Sequence, residues 1–194
     1  MGFVGRNNVF NIEYYKMNKH RKFLKITVNQ YVNSQVAVIM KNPSTTCSNL
    51  PNGKHKINLY ADKKKCRIDR STGKVLRKLR ERYDEIIILN LYSLYDKDPK
   101  NVNNYYYISN YNSANLMNSN NNFIRKILSS YKGDVICAWG NSNGISINNY
   151  YNQIMYVSSL FTNNHNLLEY DSRAKKFITR NHNNNYPAHG LTWK

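Results

Sequence analysis

The sequence predicts an α/β fold: three layers, α/β/α, around a mainly parallel central sheet. Three observations lead there. Short apolar runs alternate with segments of helical period, in the order strand–helix–strand–helix–strand–helix–strand. The runs 36–40 (V-A-V-I-M), 85–91 (E-I-I-I-L-N-L) and 134–139 (D-V-I-C-A-W) are almost continuously apolar, the pattern of strands buried on both faces. Their ends at Asn42, Asn90 and Trp139 have the spacing of repeated strand–loop–helix units, which places them on one edge of the sheet. With 194 residues the chain suits a single domain, 1–194.

The elements follow in order. Residues 1–15 form an Asn-rich lead-in that reads as a strand, an arm or a partly disordered segment. Residues 16–22 (K-M-N-K-H-R-K) are a basic cluster, either a solvated face or an edge touching phosphates. Residues 23–31 and 35–40, separated by Val32-Asn33-Ser34, predict a hairpin. The second strand breaks at Lys41-Asn42-Pro43-Ser44-Thr45; Pro43 has no N–H and drives Asn42 away from helix, so the turn is sharp. Residues 47–60, with Pro51 and Gly53, read as a long loop. Residues 61–82 carry Lys63, Lys64, Lys65, Arg67, Arg70, Lys74, Arg77, Lys78, Arg80 and Arg82. Within them Val75, Leu76 and Leu79 predict a helix over 72–83 with a nearly one-signed basic face. Residues 96–122 are a polar Asn/Tyr-rich insertion. Its Tyr105-Tyr106-Tyr107 either packs on the body or offers a stacking platform for bases, and packing is the favoured reading. Helices are expected over 123–131 and 150–161, a strand over 166–170, and a loop over 181–194.

Lys+Arg 29 against Asp+Glu 11 gives a net charge of +18, far beyond what solubility requires. Such an excess points to a polyanionic partner, with nucleic acid foremost, and the alternative is a generic basic surface. The 3 Cys are odd in number with no close pair, which suits a reduced intracellular protein and no zinc site. Residues 1–22 lack the apolar core of a signal peptide, and no run approaches the ~18 apolar residues of a membrane span. The expectation is a cytoplasmic protein with no membrane partner, no cofactor and no metal.

Four short pieces carry the functional reading: Met40-Lys41-Asn42-Pro43-Ser44-Thr45, Ile88-Leu89-Asn90, Ala138-Trp139-Gly140-Asn141 and Tyr186-Pro187-Ala188-His189-Gly190-Leu191. In order and context they resemble an uncharacterised bacterial and phage family with Asn-Pro-Ser-Thr, Ala-Trp-Gly and C-terminal His motifs. More distantly they resemble the uracil-DNA glycosylase superfamily, which implies a uracil-DNA-glycosylase-like fold. The resemblance also implies roles. Asn42 falls where a water-positioning Asp or Asn stands, Asn90 where an Asn reads the flipped base, and His189 where a His stabilises the departing base. Pro43, Ser44, Trp139, Asn141 and Tyr186 would line the base pocket, and Pro43 and Ser44 would also hold phosphate. Lys41, Lys63, Lys64, Lys65, Arg67 and Arg70 would hold DNA, with Leu191 as a wedge. None of the four pieces contains a carboxylate, and Asp69 is the acid assigned to the site.

The chemistry fits these residue types. Breaking an N-glycosidic bond passes through an oxocarbenium-like sugar, so a water must be placed and the leaving base anion stabilised. An Asn orients water but takes no proton, so catalysis through Asn42 is expected to be slow. The expected function is a DNA glycosylase for a modified or uncommon base, with glucosylated hydroxymethylcytosine in phage defence as an example. The alternatives are a non-catalytic binder of nucleotides or nucleotide-derived signals, and a DNA-binding module with a degenerate pocket.

Overall fold

A computed structural model describes residues 9–17, 20–28, 32–43, 46–58, 66–96, 98–108, 113–180 and 187. The strands are β1 (Val9–Met17), β2 (His20–Thr27), β3 (Gln35–Met40), β4 (Gly53–Asn58), β5 (Glu85–Asn90), β6 (Gly133–Ala138), β7 (His165–Asp171) and β8 (Lys176–Thr179). The helices are α1 (Arg70–Leu79), α2 (Pro99–Asn103), α3 (Ser113–Ser130) and α4 (Ile147–Ser158), and a π-helical turn, Asn104–Ile108, follows α2.

All strands join one sheet in the order β4-β1-β2-β5-β3-β6-β7-β8. At its centre β5, β3, β6 and β7 run parallel. β2, β1 and β4 extend one side with antiparallel pairings, and β8 closes the other antiparallel to β7. The sheet is therefore mixed, and the expectation of a mainly parallel sheet is corrected: antiparallel pairings outnumber parallel ones. The parallel centre is the part whose apolar runs are legible. β1 carries the alternating pattern of a half-solvated antiparallel strand, with Phe10, Ile12 and Tyr14 inward and Asn11 and Tyr15 outward. β4, within the stretch read as a loop, has Ile57 as its only buried residue. Its exposed Lys54 and Lys56 are typical of a protected sheet edge.

The predicted hairpin between β2 and β3 does not form, because β5 lies between them. Asp84 sets this crossing. Its carboxylate accepts from the backbone N of Asn33 and Ser34, both at 3.1 Å, and from Ser34 Oγ at 3.0 Å. That ties the approach to β3 to the start of β5.

Helices cover both faces. On one, Val75, Leu76 and Leu79 of α1 pack on Phe10, Ile12, Leu24, Val36, Val38, Ile86 and Ile88. On the other, Ile124 and Leu128 of α3 and Tyr150, Ile154 and Val157 of α4 pack on Ala37, Ile39, Ile87, Leu89, Val135 and Cys137. The alternation along each strand divides the two sets, so odd positions of β3 face α4 and even ones face α1. α3 begins ten residues before its predicted start at 123, because Asn120 and Asn121 turn inward in place of apolar residues.

Cys47 and Cys66 form a disulfide with Cα atoms 4.2 Å apart, which overturns the reading of three unpaired thiols and the reduced state inferred from it. The bond joins the segment after β3 to the one before α1. Cys137 is free and buried, and burial pushes its thiol up to about 11. Among the described residues no helix is long and apolar enough to cross a membrane.

Candidate functional site

The carboxyl ends of the central strands stand level. Met40 pairs with Asn90 on one side and with Ala138 on the other. The chain leaves β3 for β5 on one side and later returns to β6 on the other. The strand order thus reverses between β3 and β6, where open α/β sheets place their ligands. Beyond the strand ends the pairing continues: Leu91 N donates to Met40 O at 2.8 Å and Tyr92 N to Lys41 O at 2.9 Å. Gly140 N donates to Pro187 O at 3.0 Å, which brings the late loop to the same edge. Three of the four sequence pieces meet here, and the fourth meets them through Pro187.

The residues assigned from sequence fall unevenly around this edge. Asn42 is half-buried, and its Nδ2 donates to Asp96 O at 2.5 Å, pinning the segment after β5. Pro43 is buried beside it. Asn90 is 1% exposed, and neither Nδ2 nor Oδ1 has a hydrogen-bond partner. Its backbone is held firmly: Asn120 Nδ2 donates to the Asn90 and Leu91 carbonyls, both at 3.1 Å, and Gln153 Nε2 donates to Leu91 O at 2.9 Å. Asn90 follows Ile86 and Ile88 on the α1 side of the sheet. Asn141 is exposed. Trp139, expected in a base pocket, is instead packed under α4, with the Arg180 guanidinium 4.7 Å from its ring.

Asp69, assigned as an acid, is the N-cap of α1. It accepts from Ser71 N at 2.8 Å, Thr72 N at 3.2 Å and Thr72 Oγ1 at 2.7 Å, and also from Thr46 Oγ1. Both carboxylate oxygens are engaged. Lys41, expected at DNA phosphates, is buried on the α4 side with Nζ 5.3 Å from the Tyr150 ring centre, and burial pulls its ammonium down to about 8. Arg67 and Arg70 are exposed. The assignments to Ser44, Lys63, Lys64, Lys65, Tyr186, His189 and Leu191 lie outside the described residues.

At its C-terminal end the 16–22 cluster is not a solvated face, because His20, Arg21 and Lys22 are all buried. A β-bulge explains their directions. Tyr15 pairs with Phe23 but Lys16 with Arg21, so Lys22 is the extra residue. Lys22 and Phe23 both serve the α3 side: Lys22 Nζ donates to Ser119 Oγ at 2.9 Å, and Phe23 stacks on Phe123 with centroids 5.4 Å apart. Arg21 is thereby turned to the α1 side, 5.9 Å from the Tyr95 ring and near Tyr14 and Asp69. Sequence reading missed Arg21 because nothing in a basic heptapeptide marks which residue a bulge will bury.

His20 sits in a hydrogen-bonded cluster. Its Nδ1 lies 2.9 Å from Ser93 Oγ and its Nε2 3.1 Å from Tyr105 Oη; Tyr106 Oη lies 2.9 Å from the same Ser93 Oγ. Burial first, and then Lys22, pull the imidazole down to about 4, so it is neutral at physiological pH. The tyrosine triplet therefore packs on the body. Tyr107 is its most exposed member at 38%, and its hydroxyl lies 3.2 Å from that of Tyr92.

Residues 60–191 match the model of a family described as "Protein of unknown function (DUF1643)", and the chain belongs to that family. No curated protein and no solved structure matches it. The match takes in β5, β6 and the late loop; β1 to β4, with Arg21 and Asn42, precede it.

Proposed function

Taking the chain as a member of DUF1643, we propose that it is a DNA glycosylase. In this reading it flips a modified or uncommon base out of DNA and hydrolyses its N-glycosidic bond. One observation carries the reading: Asn90, fixed at the strand ends beside the switch point, keeps both amide atoms buried and unpaired. A free amide offers one acceptor and two donors, the complement of a base edge. A buried amide without partners costs about 1–3 kcal/mol, a cost that a base would offset on binding. A distant relationship to the uracil-DNA glycosylase superfamily belongs to the same proposal.

In the reaction, water adds to the anomeric carbon as the bond from that carbon to the base nitrogen breaks. The bonding pair leaves with the base, the base anion takes up the proton that the water loses, and an abasic site and free base result. Asn42 is held by its bond to Asp96 O, which leaves Oδ1 as the atom to orient the water. His189, two residues beyond the Pro187 carbonyl that meets Gly140, would donate to the departing base. Asp69 receives no catalytic role, because its carboxylate caps α1. Catalysis then leans on stabilising the leaving base.

The test is mass spectrometry of small molecules released from a panel of modified and unmodified DNAs. A free base is expected from one class of modified DNA, with alkali-labile sites left behind, and at least about a hundredfold less from Asn90→Leu. DNA left intact across the panel by folded protein would sink the proposal. A second reading, a non-catalytic nucleotide binder, is favoured by the commitments of Asn42 and Asp69 to loop and cap. It predicts nucleotide binding dependent on Asn90 with no released base.

A further inference from the structure

We propose that Arg21 is the anion anchor of a phosphate subsite on the α1 side of the sheet, walled by Tyr14, Tyr95 and Asn90. The subsite deepens the base-excision reading by assigning the phosphate of the same nucleotide. It rests on that reading only for the source of the phosphate.

Arg21 is 1% exposed, and its Nε and Nη1 have no hydrogen-bond partner. Those two nitrogens carry three of the five guanidinium N–H groups. Asp69 acts on the guanidinium electrostatically, yet these donors stay unmade. A buried cation left in this state destabilises a fold unless something binds it.

The neighbours share the deficit. The Tyr14 and Tyr95 hydroxyls are also buried without partners, and so is the Asn90 amide. Tyr14 packs in the α1-side core, and Tyr95 packs against that core. The Tyr95 ring lies 5.9 Å from the Arg21 guanidinium. Arg21 N is bonded at 2.8 Å to Ser93 O, three residues past Asn90, so both side chains belong to the same end of the sheet. Most of the unmade bonds in this cluster are donors. A phosphate accepts at every oxygen and carries the compensating charge, and guanidinium is the side chain best suited to it. Water would fill some of the bonds but would add no negative charge to that of Asp69. The bulge at Lys22 is the device that aims Arg21 here, as bulges do beside functional sites.

The experiment measures thermal stability of the full chain in inorganic phosphate and in sodium chloride at equal ionic strength. Wild type is expected to show a saturable gain in phosphate that chloride does not reproduce. Arg21→Gln should lose that gain. Arg21→Lys, which keeps the charge without the planar donor array, should bind phosphate about tenfold more weakly and serves if the Gln variant does not fold. The phosphate response is read on the protein without DNA and base release on DNA, so failure of base reading and failure of this subsite are distinguishable. A nucleoside 5′-monophosphate and a single-stranded oligonucleotide form two further arms. Whichever shows an Arg21-dependent gain identifies the source of the phosphate. Equal responses of wild type to phosphate and chloride, or wild-type phosphate affinity in either Arg21 variant, would overturn the assignment.

Discussion

Asn90 and its neighbours hold polar groups that the fold itself leaves unpaired. Unpaired buried groups of this kind are costly, so a position kept for binding should gain stability when made apolar. Asn90→Leu is expected to raise stability by about 1 kcal/mol, or about 2–4 °C in a chain of this size. Thermal melts of the two proteins check this; a clear fall would mark Asn90 as structural. Asn120 offers the contrast. Its Nδ2 bonds the Asn90 and Leu91 carbonyls, so it supports the end of β5. Both are buried asparagines near one strand end, and only their hydrogen-bond partners separate the roles. His20 shows the same dependence on surroundings. A histidine that reads as part of a basic cluster is neutral and held among Ser93, Tyr105 and Tyr106.

Among the elements, α1 links the fold to the candidate site. Its apolar stripe, Val75, Leu76 and Leu79, recurs at helical spacing and was legible in the sequence. Its start was not, because only the bonds of the Asp69 carboxylate to Ser71 N and Thr72 N mark that residue as the cap. Asp69→Ala should cost about 1–2 kcal/mol through loss of the cap, read by urea unfolding. Asp69→Asn keeps a capping oxygen and should recover most of that stability. If Asp69 acts only as a cap, Asp69→Asn also keeps any base-releasing activity. The helix ends with Arg77 and Lys78, which suit the negative end of its dipole. β2 is the second decisive element: without the bulge at Lys22, strand alternation would turn Arg21 away from Tyr95.

For the molecule as a whole, the net charge of +18 sets a testable behaviour. Phosphate contacts release counterions, so the affinity for duplex DNA should fall linearly on a log–log salt plot, by about 0.9 per contact. Arg67 and Arg70 are exposed beside the N-terminus of α1. Replacing both with Gln should flatten the slope by about 2 and weaken all sequences alike. Fluorescence anisotropy from about 50 to about 200 mM salt reads this directly. An unchanged slope would remove that face of the molecule from the DNA footprint.

The sequence by itself determined the central strands, the helices α1, α3 and α4 in outline, and the meeting of strand ends at Asn42, Asn90 and Trp139. Each rests on local signals: apolar runs where both faces are buried, helical spacing where one face is, and Asn-Pro where a strand must stop. Only the tertiary structure decided the rest. It placed β5 between β2 and β3, through the Asp84 bonds to residues far away in the chain. It made the sheet mixed by adding strands whose pattern is weak, above all β4 at the exposed edge. It joined Cys47 to Cys66. It also gave chemically similar residues different tasks: Asp69 to a cap, Lys41 to the core, Arg21 to a buried position with donors unmade. The physical reason is common to all of these. Burial and hydrogen-bond partnership are properties of neighbours distant in the chain, and no local pattern of residues encodes them.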